Sequence, residues 1–258
     1  ADAPQPIAEA IAALELARNP RQARDAFWAI PGVLARWTAL VALAARSRIG
    51  NARDAAGTVA AIRALGTKVP TDDDWLELAT TLVKNHADEP DLHPVPELVL
   101  FVCGEGMQRY RELAALRPGL ADAAASDEAI VERLGVALVT LSALLRHAMF
   151  ACNYTLVVPT VEAGRAERWS GTRPAQRASQ RLATTSPPGQ PILVDETGAP
   201  VLALHPLVQV AEPAPGVVPE VFLFAGRAAR GPKLVAFPAA FELHDHAILD
   251  WLRHPTAL

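Results

Sequence analysis

The feature that most constrains the fold is a change of hydrophobic period near Cys152. Before it, apolar residues return every three or four positions, which places them on one face of successive helices. Ile7, Ile11 and Leu14 share such a face, and Asn19-Pro20 closes that segment. Phe27, Ile30, Leu34, Trp37, Val41 and Ala44 form a wider stripe across Pro31-Gly32, which reads as two helices or one kinked helix. An alanine-rich stretch, 52–65, stops at Gly66. Asp72, Asp73 and Asp74 stand where a helix N-terminus favours negative charge, ahead of Trp75, Leu78, Ala79 and Leu82. Segments 97–116 and 127–149 complete the set, the latter with Ser126 as N-cap.

After Cys152 the pattern becomes that of strands. A short β-like run at 154–158 precedes a loop at 162–190, and 191–210 reads as a hairpin turning at Glu196-Thr197-Gly198. Runs at 221–224 and 233–237 predict two further strands, and 242–253 predicts a helix with Leu243, Ala247, Ile248 and Trp251 on its buried side. Helices first and strands later indicate an α+β protein: a helical bundle over 1–152, then a small antiparallel β domain over 153–258 with a closing C-terminal helix.

Composition narrows the function classes. With 258 residues, 51% hydrophobic and 20% charged, the chain buries a sizeable core and is not disordered. Two cysteines exclude a disulfide scaffold, and a net charge of −4 argues against a strongly basic nucleic-acid binder. Only Lys68, Lys84 and Lys233 are lysine, and roughly one residue in five is alanine, so the arginine excess reflects a high-GC coding bias. The longest apolar stretch, 136–145, is interrupted by Thr140 and Ser142 and is shorter than the roughly 20 residues a membrane helix needs. No secretory signal is recognisable; the chain begins at Ala1, and a cytoplasmic location without a membrane partner is expected.

Few motifs carry chemistry. Gly104-Glu105-Gly106 lacks the third glycine and the distant acid of a dinucleotide site, since Arg109 takes that position. His244-Asp245-His246 has a spacing of two, which on a helix sends the histidines to nearly opposite faces and on a strand still lacks a third ligand. Cys103 and Cys152 lie far from other ligands and read as core residues. No metal and no cofactor are expected, and no nucleophile elbow, phosphate loop or zinc-protease motif occurs. The one basic stretch holds Arg165, Arg168, Arg173, Arg177 and Arg181 with Trp169, against the single acid Glu167. It reads as a solvated loop, or as a surface that holds phosphates or a single strand.

A family resemblance joins these pieces. It rests on Phe27-Trp28 through Ala45, Trp75-Leu76-Glu77-Leu78, the segment 110–122, and the long helix leading into Tyr154-Thr155-Leu156-Val157-Val158-Pro159. Leu193-Val194-Asp195-Glu196-Thr197-Gly198, Leu204-His205-Pro206-Leu207 and the strand from Glu220 to Gly226 continue it. This order resembles an accessory region of bacterial multidomain signalling proteins, in which a HEPN-like helical part precedes a small β domain. Such regions are joined to eukaryote-like Ser/Thr kinases or regulatory ATPases.

HEPN domains that cleave RNA carry arginine followed five to seven residues later by histidine. In the matching stretch Arg117 is kept, Pro118-Gly119 would end the helix, and Asp122 stands where histidine would be. An aspartate, ionised at neutral pH, does not exchange protons as imidazole does. The resemblance therefore implies a degenerate HEPN motif and a non-enzymatic regulatory or adaptor module that binds a protein partner in a bacterial signalling or defence system. Its expected contacts lie in the arginine stretch, with Trp169 as anchor. The alternative is an RNA-binding or RNA-acting HEPN-related protein that uses the same arginines.

Overall fold

A computed structural model describes residues 3–50, 54, 57–120, 125–172, 177–237 and 240–253. Its helices run α1 (Gln5–Glu15), α2 (Pro20–Ile49), α3 (Thr58–Leu65), α4 (Asp72–Val83), α5 (Pro96–Cys103), α6 (Glu105–Ala115), α7 (Arg117–Leu120), α8 (Asp127–His147) and α9 (Phe150–Asn153). Then come β1 (Thr155–Pro159), β2 (Arg165–Arg168), β3 (Ser179–Arg181), β4 (Ile192–Val194), β5 (Pro200–Ala203), β6 (Val208–Ala211), β7 (Glu220–Ala228), β8 (Gly231–Ala236) and β9 (Glu242–His244), and α10 (Ala247–Arg253) ends the described chain. The protein is thus α+β.

Local chemistry sets the helix starts. Asn19 accepts the Gln22 N–H at 2.9 Å and Pro20 takes the first helical position, where a missing N–H costs nothing. Thr71 and Asp74 form a reciprocal capping box on α4, with Thr71 N–H donating to Asp74 at 2.8 Å. Ser126 accepts the Ala129 N–H at the head of α8.

Helix α2 is the centre of the molecule. It packs against α1, α4 and α8 and reaches β5 and β7. Phe27, Leu34, Trp37, Leu40 and Leu43 are buried on it together with Ala35, Ala39, Ala42, Ala44 and Ala45, whose small side chains allow neighbours close approach. It continues through Pro31 as one helix, although an internal proline removes a hydrogen bond. Among the described residues α2 is also the helix long and apolar enough to cross a membrane, and most of that window is buried inside the fold. The sequence hides this because Arg36 and Thr38 interrupt the apolar run.

Two antiparallel sheets follow, one in the order β3-β2-β1-β4-β5 and one in the order β6-β7-β8-β9. One buried apolar cluster runs from the helices into both, through Leu156, Trp169, Leu193, Leu202, Phe222 and Phe224. Trp75 of α4 meets Phe224 of β7 edge to face, with ring centroids 6.2 Å apart. Beside that contact the Lys68 carbonyl accepts the Arg227 N–H at 2.8 Å. A Cβ on Gly226, whose φ is +96°, would lie 2.5 Å from that carbonyl, so only glycine fits the approach.

Three segments differ from their sequence reading. The stretch read as a loop at 162–190 contains β2 and β3; their polar residues give little strand signal, and pairing to β1 makes them strands. The expected helix at 242–253 begins at Ala247, because Glu242, Leu243 and His244 pair with β8. The helix does stop ahead of Pro118, at Ala115, but Pro118 then sits second in the short α7, where proline is tolerated, and not in a plain turn. Of the cysteines read as core residues, Cys103 differs, being exposed at the end of α5, while Cys152 is half-buried and packs against the core.

Between α4 and α5, two 3-10 turns (Lys84–His86 and Pro90–Leu92) bury His86 and bring it edge to face with His93 at 5.4 Å. Burial, opposed by the Val95 carbonyl and aided by His86, pushes His93 down to about 4. The unfolded chain therefore takes up this proton first, so His93 adds no penalty above its ordinary 6.5 and costs stability as pH falls from 6.5 towards 4. Urea unfolding should lose about 2 kcal/mol to this residue between pH 7.5 and pH 5. His93→Gln should remove that part of the slope, and an unchanged slope would refute the assignment.

Candidate functional site

The arginines expected to form one loop are distributed over a hairpin and its return. Arg165 and Arg181 lie directly opposite each other on β2 and β3, both exposed. Arg165 is paired with Glu162 at 2.9 Å. Arg168 is half-buried at the end of β2, and Arg173 lies outside the described residues. Arg177 stacks over the Trp169 ring, 3.0 Å from its centroid, and donates to Gln5 Oε1 at 3.2 Å.

Trp169, expected as a partner anchor, is 2% exposed and belongs to the core. Segment 169–171 is bound to the start of the chain: Gln5 N–H donates to the Trp169 carbonyl at 3.0 Å and Gly171 N–H to the Ala3 carbonyl at 2.8 Å. The ring is therefore committed to holding α1 against the five-stranded sheet and is not presented to a partner.

Arg117 occupies a different surface. Its guanidinium is 3.2 Å from Asp72 and lies over the Trp28 ring at 5.5 Å. With Pro31, Asp73, Tyr110 and Leu113 these side chains line a cleft of about 90 Å³ at the head of α4. Burial lowers Arg36 from its ordinary value while Asp72 opposes that shift. Burial, then Asp72 and Asp73, raise the Tyr110 phenol far above neutrality. Arg117 thus closes a charge network at a helix N-terminus, a structural role that needs no histidine. Asp122 lies outside the described residues.

The residues of the turn Asp195-Glu196-Thr197-Gly198 also have structural work. The Asp195 carboxylate accepts from Thr197 Oγ1, Thr197 N–H and Ala199 N–H at 2.7, 2.9 and 2.9 Å, and these bonds hold it below its ordinary value. Gly198, at φ +80°, leaves room for the Arg181 carbonyl.

A concave feature with an apolar floor lies elsewhere, between the end of α2, the segment 184–187 and β5. Its volume is about 310 Å³, within the range of ligand and peptide sites. Ala44, Ile192 and Leu202 form the floor, and Ser47, Arg48, Thr184, Thr185 and Ser186 supply polar groups along the rim. Strand β5 ends its sheet, and its bonds to β4 use only one edge. Leu204 N–H donates to the Pro191 carbonyl, so by alternation the Ala203 N–H points to the free edge. The Val201 carbonyl also faces that edge and accepts from Arg48. An edge beside an apolar groove is the arrangement that admits an additional strand.

The sequence reading placed Ala44 on a helix and Ile192 and Leu202 in a hairpin, and gave none of the groove residues a functional role. The hairpin that carries β5 was legible, but its position at the sheet edge and its approach to α2 follow from topology alone. Among the described residues no three His, Cys, Asp or Glu side chains gather as metal ligands. Comparison with protein-family models, with curated proteins and with solved structures finds no match for this chain.

The two parts of the arginine stretch should respond differently to truncation. Trp169→Ala should lower stability by about 3–5 kcal/mol through the cavity it leaves, while Arg181→Ala should stay within about 0.5 kcal/mol. Urea denaturation of both variants measures this, and equal effects would contradict the burial described.

Proposed function

We propose that this chain is a regulatory or adaptor module, without catalytic activity of its own, that captures an extended segment of a protein partner along the free edge of β5. The observation that carries this reading is the juxtaposition of an unpaired strand edge with the groove of Ala44, Ile192, Leu202 and the 184–186 hydroxyls. The partner's main chain would pair with the Ala203 N–H, its alternate side chains would enter the apolar floor, and Arg48 would yield the Val201 carbonyl.

The adaptor reading has further support in how the charged groups are used. Asp72 is engaged by Arg117 and Asp74 by Lys68, at 3.2 and 2.6 Å. Tyr110 keeps its proton at neutral pH, so it is a poor acid or base there. The setting implied by the resemblance, a bacterial signalling or defence system with a degenerate HEPN-like part, fits a module that recognises and does not cleave.

A selection from a displayed random-peptide library tests the proposal. Strand-forming peptides with alternating apolar residues should be retained by the wild-type chain. Ala203→Pro removes one free-edge donor and leaves the β4 ladder intact, so it should weaken binding at least about tenfold. No enrichment, or equal binding by the variant, would overturn the reading.

A second reading has its own observation. Arg165 directly opposite Arg181 is an unfavourable like-charge pair that a bound anion would relieve. If the chain holds RNA there, log affinity falls steeply with log salt and both Arg→Ala changes reduce the slope by about one each. Salt-insensitive or absent RNA binding removes this alternative.

A further inference from the structure

Helix α8 has two apolar sides. Ile130, Leu134, Ala137, Leu141 and Leu144 face the core. The outer side nevertheless carries Val131 at 57%, Val136 at 64% and Val139 at 70% exposure, with Leu138 and Met149 also exposed. Four of these residues fall within 131–139 of one helix and Met149 follows its end, whereas singly scattered exposed apolar residues would need no explanation.

The outer side also has a seven-residue order. Val131 and Leu138 form one row, Gly135 and Ser142 the next, and Glu132, Val139 and Arg146 the third. The third row is negative at one end, apolar in the middle and positive at the other. Glu132 and Arg146 are exposed and form no ion pair among the described residues. Gly135 and Ser142 put small side chains where a neighbouring helix would need to approach.

We propose that this face binds a second copy of the chain, with the two α8 helices antiparallel about a two-fold axis at Val139. That axis sets Val139 against its own symmetry mate. It also brings Glu132 of each copy to Arg146 of the other, so one row supplies two identical ion pairs, as a self-complementary interface requires. A parallel pairing would oppose Glu132 to Glu132 and Arg146 to Arg146, so the charge order itself selects the antiparallel arrangement. Val131 and Leu138 beside it, with the small Gly135 and Ser142 between, close the seam. A helix of 21 residues is about 30 Å long, so the seam is small and the dimer dissociates on dilution.

Sedimentation velocity and light scattering on the 258-residue chain test this. A monomer–dimer equilibrium is expected at concentrations on the order of tens of micromolar. Glu132→Arg alone and Arg146→Glu alone should each raise the dissociation constant at least about tenfold. The double variant carrying both changes should restore it, because the exchanged charges meet again across the axis. Far-ultraviolet circular dichroism of each variant checks that the helices persist. A monomer at every concentration, a dimer indifferent to the single changes, or a double variant without recovery would each overturn the proposal.

Discussion

The structure depends on burying α2 on almost every side. A helix with Phe27, Leu34, Trp37, Leu40 and Leu43 inside, and alanines filling the intervals, cannot be satisfied by a single helical neighbour. It needs α1, α4 and α8 around it and strands of both sheets, β5 and β7, beyond. The helical and β portions therefore share one buried cluster, and the side chains joining them, Trp75 and Phe224 foremost, belong equally to both. Removing apolar surface from water at about 25 cal/mol per Å² makes such shared burial the dominant favourable contribution to the fold. It also outweighs the internal Pro31, whose lost hydrogen bond would break an exposed helix.

That arrangement determines which polar groups remain for recognition. Arg117, Asp72 and Asp74 at the head of α4 are drawn into caps and ion pairs that fix the helix beside α2. Asp195 is occupied by its own turn, and Trp169 by the contact with the chain's beginning. Charged and aromatic residues that look functional in isolation thus serve as joints. The surfaces left over are of another kind: a strand edge at β5 with an apolar groove beside it, and the outer side of α8. Both suit main-chain or helix–helix pairing, which need shape and register more than a reactive side chain.

Much of the architecture was legible in the order of residues. Helical spacing around Ile7, Trp37, Trp75 and Leu134, the Ser126 cap, the acidic start of α4 and the hairpin at 192–204 correspond to observed elements. These are local properties, decided by period, caps and turn chemistry within a few residues. The misread segments are those whose conformation depends on a distant partner. The Arg-Ala-Glu-Arg of β2 and the Ser-Gln-Arg of β3 have weak strand preference and are strands because β1 offers an edge. Glu242 to His244 carry a pattern compatible with a helix and pair with β8 instead.

The sequence by itself determined the α+β order, the positions of the principal helices and the absence of the common catalytic motifs, because those rest on short-range spacing. Tertiary structure decided what each conspicuous residue does. Trp169 is a core residue and not an anchor because segment 169–171 meets Ala3 and Gln5, far away in the chain. Arg117 is a structural partner because α7 brings it to Asp72 and Trp28. The groove at β5 exists only where the end of α2, the segment 184–187 and the last strand of a five-stranded sheet converge. No local pattern encodes that convergence, since it follows from which surfaces the buried α2 leaves uncovered.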